Sequence, residues 1–279
     1  LIGLMLVVAA PLGISVLSRP PVVQPVVGAS EIRVGTYNIH NGFNEFFEYN
    51  LEEIARAIQQ SGAAVVLLQD VDAGRWTSYG ADQSLWLARR LGMDRRYYST
   101  VEGLYGLAVL SRIPIVFDDG VPLPSLDQQT GLQRVQVQDQ PGTAITIYNT
   151  RLGFLLEGSS IEEQERNQRA QLEALFRIIA EHITTDYGGQ LGRTILGGTF
   201  HNVPSAPVMQ RLAASGFVDP FAGASLENSA TLVRLDQRAR IDYLWLWSTT
   251  LISTGNGVIN STASDHRLAF VGIQIRRGD

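Results

Sequence analysis

The 279-residue sequence contains no cysteine and no lysine. Without cysteine there are no disulfides, no thiolate metal ligands and no cysteine nucleophile. The same absence is neutral about compartment, because a cysteine-free chain folds equally well in the cytoplasm or outside it. All 22 basic residues are arginines, scattered rather than clustered, and the formal net charge is −5. Domains that live on nucleic acid carry a basic stripe or patch, so this charge pattern argues against a nucleic-acid partner. Internal repeats and low-complexity tracts are missing too. What is present, 45% hydrophobic residues over this length, suffices for one large domain, or for one domain with a small appendage.

No charge appears before Arg19. Residues 1–18 lack the basic start of a signal peptide and fall just short of the roughly 20 apolar residues that span a bilayer. A helix buried against the domain and a clipped signal sequence are alternatives. The hydropathy and the missing charges favour the end of a transmembrane or hydrophobic helix, which makes the chain membrane-anchored. Residues 19–30 hold three prolines and read as an extended, proline-rich linker. The folded domain is expected over residues 31–279.

Within that domain, Ile32 to Ile39 is strand-like. Asn50-Leu51-Glu52-Glu53 and Ser160-Ile161-Glu162-Glu163 have the form of capping boxes. The first opens an apolar stripe at Leu51, Ile54, Ala55 and Ile58 that ends near Gly62; the second opens a long helix with Leu172, Leu175, Phe176, Ile179 and Ile183 on one face. Ala63 to Leu68 is a continuous apolar run, as in a strand buried on both faces. Further helices are expected over Ala81–Leu91 and Pro207–Ser215. Further strands are expected at Arg96–Val101, Gly106–Leu110, Ile115–Phe117, Gln133–Gln138, Ala144–Asn149, Thr194–Leu196, Ile241–Leu246, Leu251–Ser253 and Leu268–Ile275. Strands outnumber helices and come in two successive sets, a pattern that two face-to-face sheets with outer helices would bury.

The stretch Thr194-Ile195-Leu196-Gly197-Gly198-Thr199-Phe200-His201 reads as a short buried strand ending in two glycines. Glycines there let the backbone turn sharply and approach a bound group, with the following side chains presented at the sheet edge.

Five local signals then follow one another along the chain: Thr36-Tyr37-Asn38-Ile39, Leu67-Leu68-Gln69-Asp70, Gly106-Leu107-Ala108-Val109-Leu110-Ser111-Arg112, Arg240-Ile241-Asp242-Tyr243 and Ser264-Asp265-His266-Arg267. In this order the sequence resembles the endonuclease/exonuclease/phosphatase superfamily, over about Glu31 to Arg276. The resemblance implies an α/β fold, a four-layered sandwich of two packed mixed sheets flanked by helices. More narrowly, Tyr37-Asn38-Ile39-His40-Asn41-Gly42-Phe43, Leu110-Ser111-Arg112-Ile113-Pro114-Ile115 and the apolar run upstream resemble the C-terminal domain of membrane proteins that remodel the lipid of glycosylphosphatidylinositol anchors. That likeness implies a phosphorylated lipid or glycolipid head group as partner.

The superfamily cleaves phosphate esters with a divalent cation, usually Mg2+, which takes oxygen ligands. By position, Asn38, Asp70 and Asp265 would be metal ligands, and Asn38 would also meet phosphate. His266 would be the catalytic base, held by Asp242, with Asp265 beside it. On residue type alone, an aspartate after a strand commonly caps a turn, and an Asp–His pair is commonly a surface pair. Four positions depart from the pattern. Asp70 replaces a glutamate and is one methylene shorter. Arg151 replaces a histidine; it can hold phosphate but not exchange a proton. Thr199 replaces the aspartate that orients or activates water, and His201 replaces a phosphate-binding asparagine, whose place at the phosphate a charged histidine would take. Losing one such group costs about 10²–10⁴ in rate. The expectation is therefore a membrane-tethered phosphate-ester domain with a partly degenerate site and a weakened or lost Mg2+. An active hydrolase using the Asp242–His266 dyad is the alternative, and a soluble nuclease is disfavoured by the acidic balance.

Overall fold

The computed structural model describes residues 31–126, 128–138, 142, 144–154 and 159–275. The expected hydrophobic helix over 1–18 and the linker over 19–30 lie outside the described residues. Among the described residues no helix is long and apolar enough to cross a membrane.

In chain order the elements are β1 (Ile32–Asn38), α1 (Leu51–Ser61), β2 (Val65–Asp72), α2 (Gln83–Leu91), β3 (Asp94–Val101), β4 (Tyr105–Ser111), β5 (Ile115–Leu123), β6 (Thr130–Val137) and β7 (Ile145–Arg151). Then come α3 (Ile161–Thr185), β8 (Thr194–Thr199), α4 (Pro207–Ala213), β9 (Phe217–Val218), α5 (Leu226–Ser229), β10 (Leu232–Val233), β11 (Arg238–Ala239), β12 (Asp242–Trp247), β13 (Leu251–Val258) and β14 (Ala269–Ile275).

Two mixed six-stranded sheets form, in the orders β13-β14-β1-β2-β4-β3 and β5-β6-β7-β8-β12-β9. The two-sheet sandwich with outer helices is the architecture the strand count calls for. Its cores follow from side-chain alternation. On β2, Val65 and Leu67 point between the sheets, where they meet Val135, Ile145, Ile147, Ile195 and Leu244. Val66 and Leu68 point outward onto Leu51, Ile54, Ile58 and Leu87 of α1 and α2. On the far side, Tyr148 and Leu196 face Leu172, Leu175 and Ile179 of α3. Strands buried on both faces read as unbroken apolar runs because neither face meets water.

Each sheet has one parallel pair at its centre, β1–β2 in the first and β7–β8 in the second. All other pairings between strands of the sheets are antiparallel. The C-terminal ends of the two parallel pairs bring together Asn38 and Asp70 from one sheet, and Arg151 and Thr199 from the other.

Both expected helix caps form. Asn50 Oδ1 accepts from the Glu53 amide at 3.2 Å, and Ser160 closes a reciprocal box with Glu163. The Gly197–Gly198 pair does something other than the sequence suggested. It lies inside β8, and the backbone closes on the protein itself rather than on a bound group. A Cβ at Gly198 (φ +139°) would sit 1.8 Å from the Thr150 carbonyl oxygen, and one at Gly197 would sit 2.9 Å from Leu67 of the opposite sheet. The pair lets β7 and β8, and the two sheets, approach where the parallel ends meet.

Candidate active site

The convergence is built on a strained turn. The β2–β4 register jumps from Leu68 to Val71, so Gln69 and Asp70 form a bulge, and Asp70 adopts a left-handed φ of 53°. His40, just past β1, and His201, just past β8, are left-handed as well, at 45° and 51°. Non-glycine residues in that region cost about 1–3 kcal/mol each and gather where a site over-determines them.

These turns open into a cleft of about 360 Å³. Three of the chain's four histidines line it, His40, His201 and His266, together with Asp70, Arg151, Arg234 and Asp265. Asn38, Thr199 and Asp242, expected among the functional groups, lie behind the cleft floor and are fully buried. Asn38 Nδ2 donates to Asp70 Oδ2 at 2.8 Å and to Thr199 Oγ1 at 3.2 Å, while its Oδ1 accepts from the His40 amide at 2.9 Å. With donor and acceptor both engaged inside the protein, Asn38 acts as a brace.

Every carboxylate of the cluster is matched to a donor of the chain. Asp70 Oδ1 takes the Tyr105 hydroxyl and lies 2.6 Å from Arg151 Nε, close enough for an ion pair but off-line for a hydrogen bond. Asp242 Oδ1 accepts from Thr199 at 2.6 Å, and its Oδ2 is 2.7 Å from His266 Nδ1. Asp265 Oδ2 accepts from Arg234 Nε at 3.0 Å and Nη2 at 2.6 Å, and its Oδ1 is 3.4 Å from His40 Nδ1.

The electrostatics follow from these contacts. Burial works against the Asp70 anion, but Arg151, the Tyr105 hydroxyl and Asn38 outweigh it and hold its pKa down to about 2. Burial likewise opposes the Asp265 anion, and His266, His40 and Arg234 more than compensate, so its pKa is lowered. Burial disfavours a charged His266, yet Asp242 raises its pKa above the ordinary histidine value. His201 goes the other way: burial and the Arg151 charge push its pKa well below 6.5. It is therefore neutral at physiological pH and adds no charge for phosphate. Its Nε2 is shielded and has no hydrogen-bond partner.

A magnesium site needs oxygen ligands free to turn toward one point. Here each carboxylate already faces a protein cation or donor, and Arg151 stands where a cation would approach Asp70. Among the described residues, no group of three or more histidines and acids is arranged to hold a metal ion. The residues in this arrangement do not fit Mg2+.

Sequence reasoning missed Arg234, Tyr105 and His40 as members of the cluster. Arg234 arrives on the β10–β11 hairpin, whose two-residue strands leave no periodic signal. That hairpin is pinned over the cleft by Val233 N donating to Asp265 O at 2.9 Å and by Leu235 N donating to Glu45 Oε2 at 3.0 Å.

Known structures with the same fold include an endonuclease/exonuclease/phosphatase from Beutenbergia cavernae DSM 12333. It has 23% identity and a TM-score of 0.66, over 88% of this chain and 72% of that one. The human Nocturnin catalytic domain has 20% identity and a TM-score of 0.66, over 92% and 99%. ANGEL2 has 14% identity and a TM-score of 0.67, over 87% and 95%. At such identities the likeness is one of fold. No curated protein matches the sequence. The sequence model of the Endonuclease/Exonuclease/phosphatase family matches residues 35–266, a span that begins in β1 and ends at the His266 of the cleft. With the sandwich and the motif order agreeing, this chain belongs to the endonuclease/exonuclease/phosphatase family.

Proposed function

We propose that this chain binds a phosphate ester without magnesium-dependent hydrolysis, is held at a membrane, and is directed at a phosphorylated lipid or glycolipid head group. The observation that carries the loss of metal is the Arg151–Asp70 pair. A divalent ion at Asp70 would have to displace a guanidinium already 2.6 Å away. Arg151, Arg234 and His266 are each paired with an aspartate, and it is their remaining N–H groups at the cleft that are suited to an oxyanion. Among the similar structures, the Nocturnin domain carries a bound sulfate anion, and ANGEL2 is a 2′,3′-cyclic phosphatase. The membrane part of the reading is supported by the uncharged run over residues 1–18 and the short linker after it.

One observation favours a second reading, an active hydrolase. His266 Nδ1 is bound to Asp242, which leaves Nε2 as the ring nitrogen available to chemistry. Asp242 raises the His266 pKa, which suits a base working near neutral pH, and what weighs against this reading is the Arg151–Asp70 pair.

Calorimetry with a phosphorylated ligand in the presence of a chelator tests the proposal. Binding should persist, and Arg151→Ala should weaken it by about 1.5–3 kcal/mol, the scale of a charged hydrogen bond. Hydrolysis of a generic phosphodiester with Mg2+ should be negligible. Thr199→Asp with His201→Asn should gain magnesium affinity, at some cost in metal-free stability because the new carboxylate faces Asp242. Robust wild-type turnover abolished by His266→Ala or Asp265→Ala would overturn the proposal.

A further inference from the structure

Three loops beside the cleft hold large apolar side chains out in water. Trp76 is 92% exposed, Leu235 at the tip of the β10–β11 hairpin 85% and Phe47 76%, and Phe46 and Tyr79 are exposed as well. The loops touch one another. Tyr79 meets the rings of Tyr49 and Phe43 at 5.0 and 6.5 Å between centroids, and Leu235 N donates to Glu45 Oε2 at 3.0 Å. The patch also borders the cleft, because the Phe47 ring lies 6.1 Å from that of His40, which lines it. Asn44 fixes the shape of the first loop, its Oδ1 accepting from the Phe46 and Glu48 amides, both at 2.9 Å.

Contiguous exposed apolar patches mark sites of protein or membrane contact. Aromatic rings make up most of this one, and Trp and Tyr gather at membrane–water interfaces, where one end of the ring is apolar and the other wet. Nearby charges are matched within the protein: Glu45 by Leu235 N, Glu48 by Asn44 Nδ2 at 2.8 Å, and Arg75 by Asp72 at 3.8 Å. The attraction on offer is therefore apolar rather than electrostatic. We infer that these loops seat in the interface of a lipid bilayer, so that the cleft opens onto head groups still in the membrane. This inference rests on the membrane reading of residues 1–18, and it goes further by naming the face that meets the lipid. Residues 19–30 lead into β1 at Ile32, the end remote from the cleft. They reach at most about 40 Å, against about 23 Å along β1, so the linker is long enough for the domain to turn its cleft end to the bilayer.

The test is tryptophan fluorescence of the full chain in phosphatidylcholine vesicles, with and without brominated acyl chains, alongside sedimentation of the same vesicles. Brominated lipid should quench part of the emission. Trp76→Phe, an exchange at an exposed position that leaves folding alone, should remove most of that quenched part. Added phosphatidylserine should change the quenching by less than about twofold, since each basic side chain steering the contact would shift binding about fivefold. A requirement for phosphatidylserine would overturn the inference. Quenching that Trp76→Phe leaves unchanged, in a chain that sediments with the vesicles, would overturn it too and leave the membrane reading standing. A chain that stays in the supernatant would overturn both. A dimer in detergent that Phe47→Ser with Trp76→Ser reduces to a monomer would mean that a second copy covers the patch, and would likewise overturn the inference.

Discussion

Two of the places where this molecule sets arginine against carboxylates differ in their backbone and in how far water reaches their acids. On the second sheet, Arg134 of β6 donates to both oxygens of Asp119, to Asp186 at 2.5 Å and to the Tyr187 hydroxyl at 3.2 Å. It also stacks over Phe117. The backbone of Asp119, Arg134 and Asp186 is ordinary, and the two acids are a third or more open to water. In the cleft the acid is withdrawn as well as the arginine, with the Asp70 side chain 11% and Arg151 15% exposed. Asp70 and two neighbouring histidines sit in left-handed backbone, and His40 Nδ1 and His201 Nε2 are shielded without hydrogen-bond partners. Structural ion pairs satisfy all their members at little conformational cost. The cleft cluster instead combines left-handed backbone with a buried His201 nitrogen that has no partner, the kind of cost that gathers at functional sites.

The largest expected effect strikes the cleft. Arg151→Leu strands Asp70 as a buried anion without its main partner, and should cost about 3–5 kcal/mol in denaturant unfolding. Adding Asp70→Asn should recover most of it. If the single variant is nearly as stable as wild type, the cleft pair is no more demanding than the surface one.

Arg134→Leu should cost less, about 1–3 kcal/mol, because water reaches the two carboxylates it leaves behind. It should leave phosphate binding untouched. A change in that titration would show that the two clusters communicate.

The pH dependence sharpens the contrast further. Asp70 has a folded pKa of about 2 against 3.8 when unperturbed, so its contribution is complete above pH 4 and is lost as pH falls toward 2. The loss amounts to about 2 kcal/mol, and Asp70→Asn should abolish that part of the acid profile. His266 has the opposite sign. Its raised pKa gives stability that is whole below about 6.5 and fades as pH rises through the folded value. Unfolding curves collected across pH would separate the two.

The smallest effect runs toward stability. His201→Gly relieves a left-handed histidine, so the fold should gain about 0.5 kcal/mol net of the glycine's added unfolded-state freedom. A loss of stability instead would mean that His201 is a packing residue.

Much of the sandwich was legible because its central strands are buried on both faces and its helices carry capping residues. Edge strands were legible only in part. Beyond Phe117, β5 continues through Asp118, Asp119, Gly120 and Pro122 to Leu123, and beyond Ser253, β13 continues through Gly255 and Gly257 to Val258. With little on these edges meeting the core, polar residues, glycine and proline are tolerated, and the composition imitates a turn. Helix α2 starts at Gln83 rather than Ala81 because Asp82 serves as its cap, accepting from Leu85 N. At the site, the motif residues were visible one at a time. What stayed hidden was their wiring: the Gln69–Asp70 bulge, the withdrawal of Asn38 and Thr199 behind the floor, and Arg234 arriving on a hairpin. Each depends on contacts far apart in sequence that leave no local pattern.

The order in which the strands are laid down carries a consequence for synthesis. β14 lies between β13 and β1, so β1 keeps one open edge until residues 269–275 have left the ribosome. By then both parallel pairs have long been complete, yet Asp242 has no imidazole and Arg234 no carboxylate until Ser264-Asp265-His266 emerges just ahead of that strand. A nascent chain that folds as it is made would pass through a stage with both sheets largely formed, one bare hydrogen-bonding edge and two unmatched charges. The cleft is finished in the same moments as the edge is covered, so an aborted product would lack the site and expose a strand that invites aggregation.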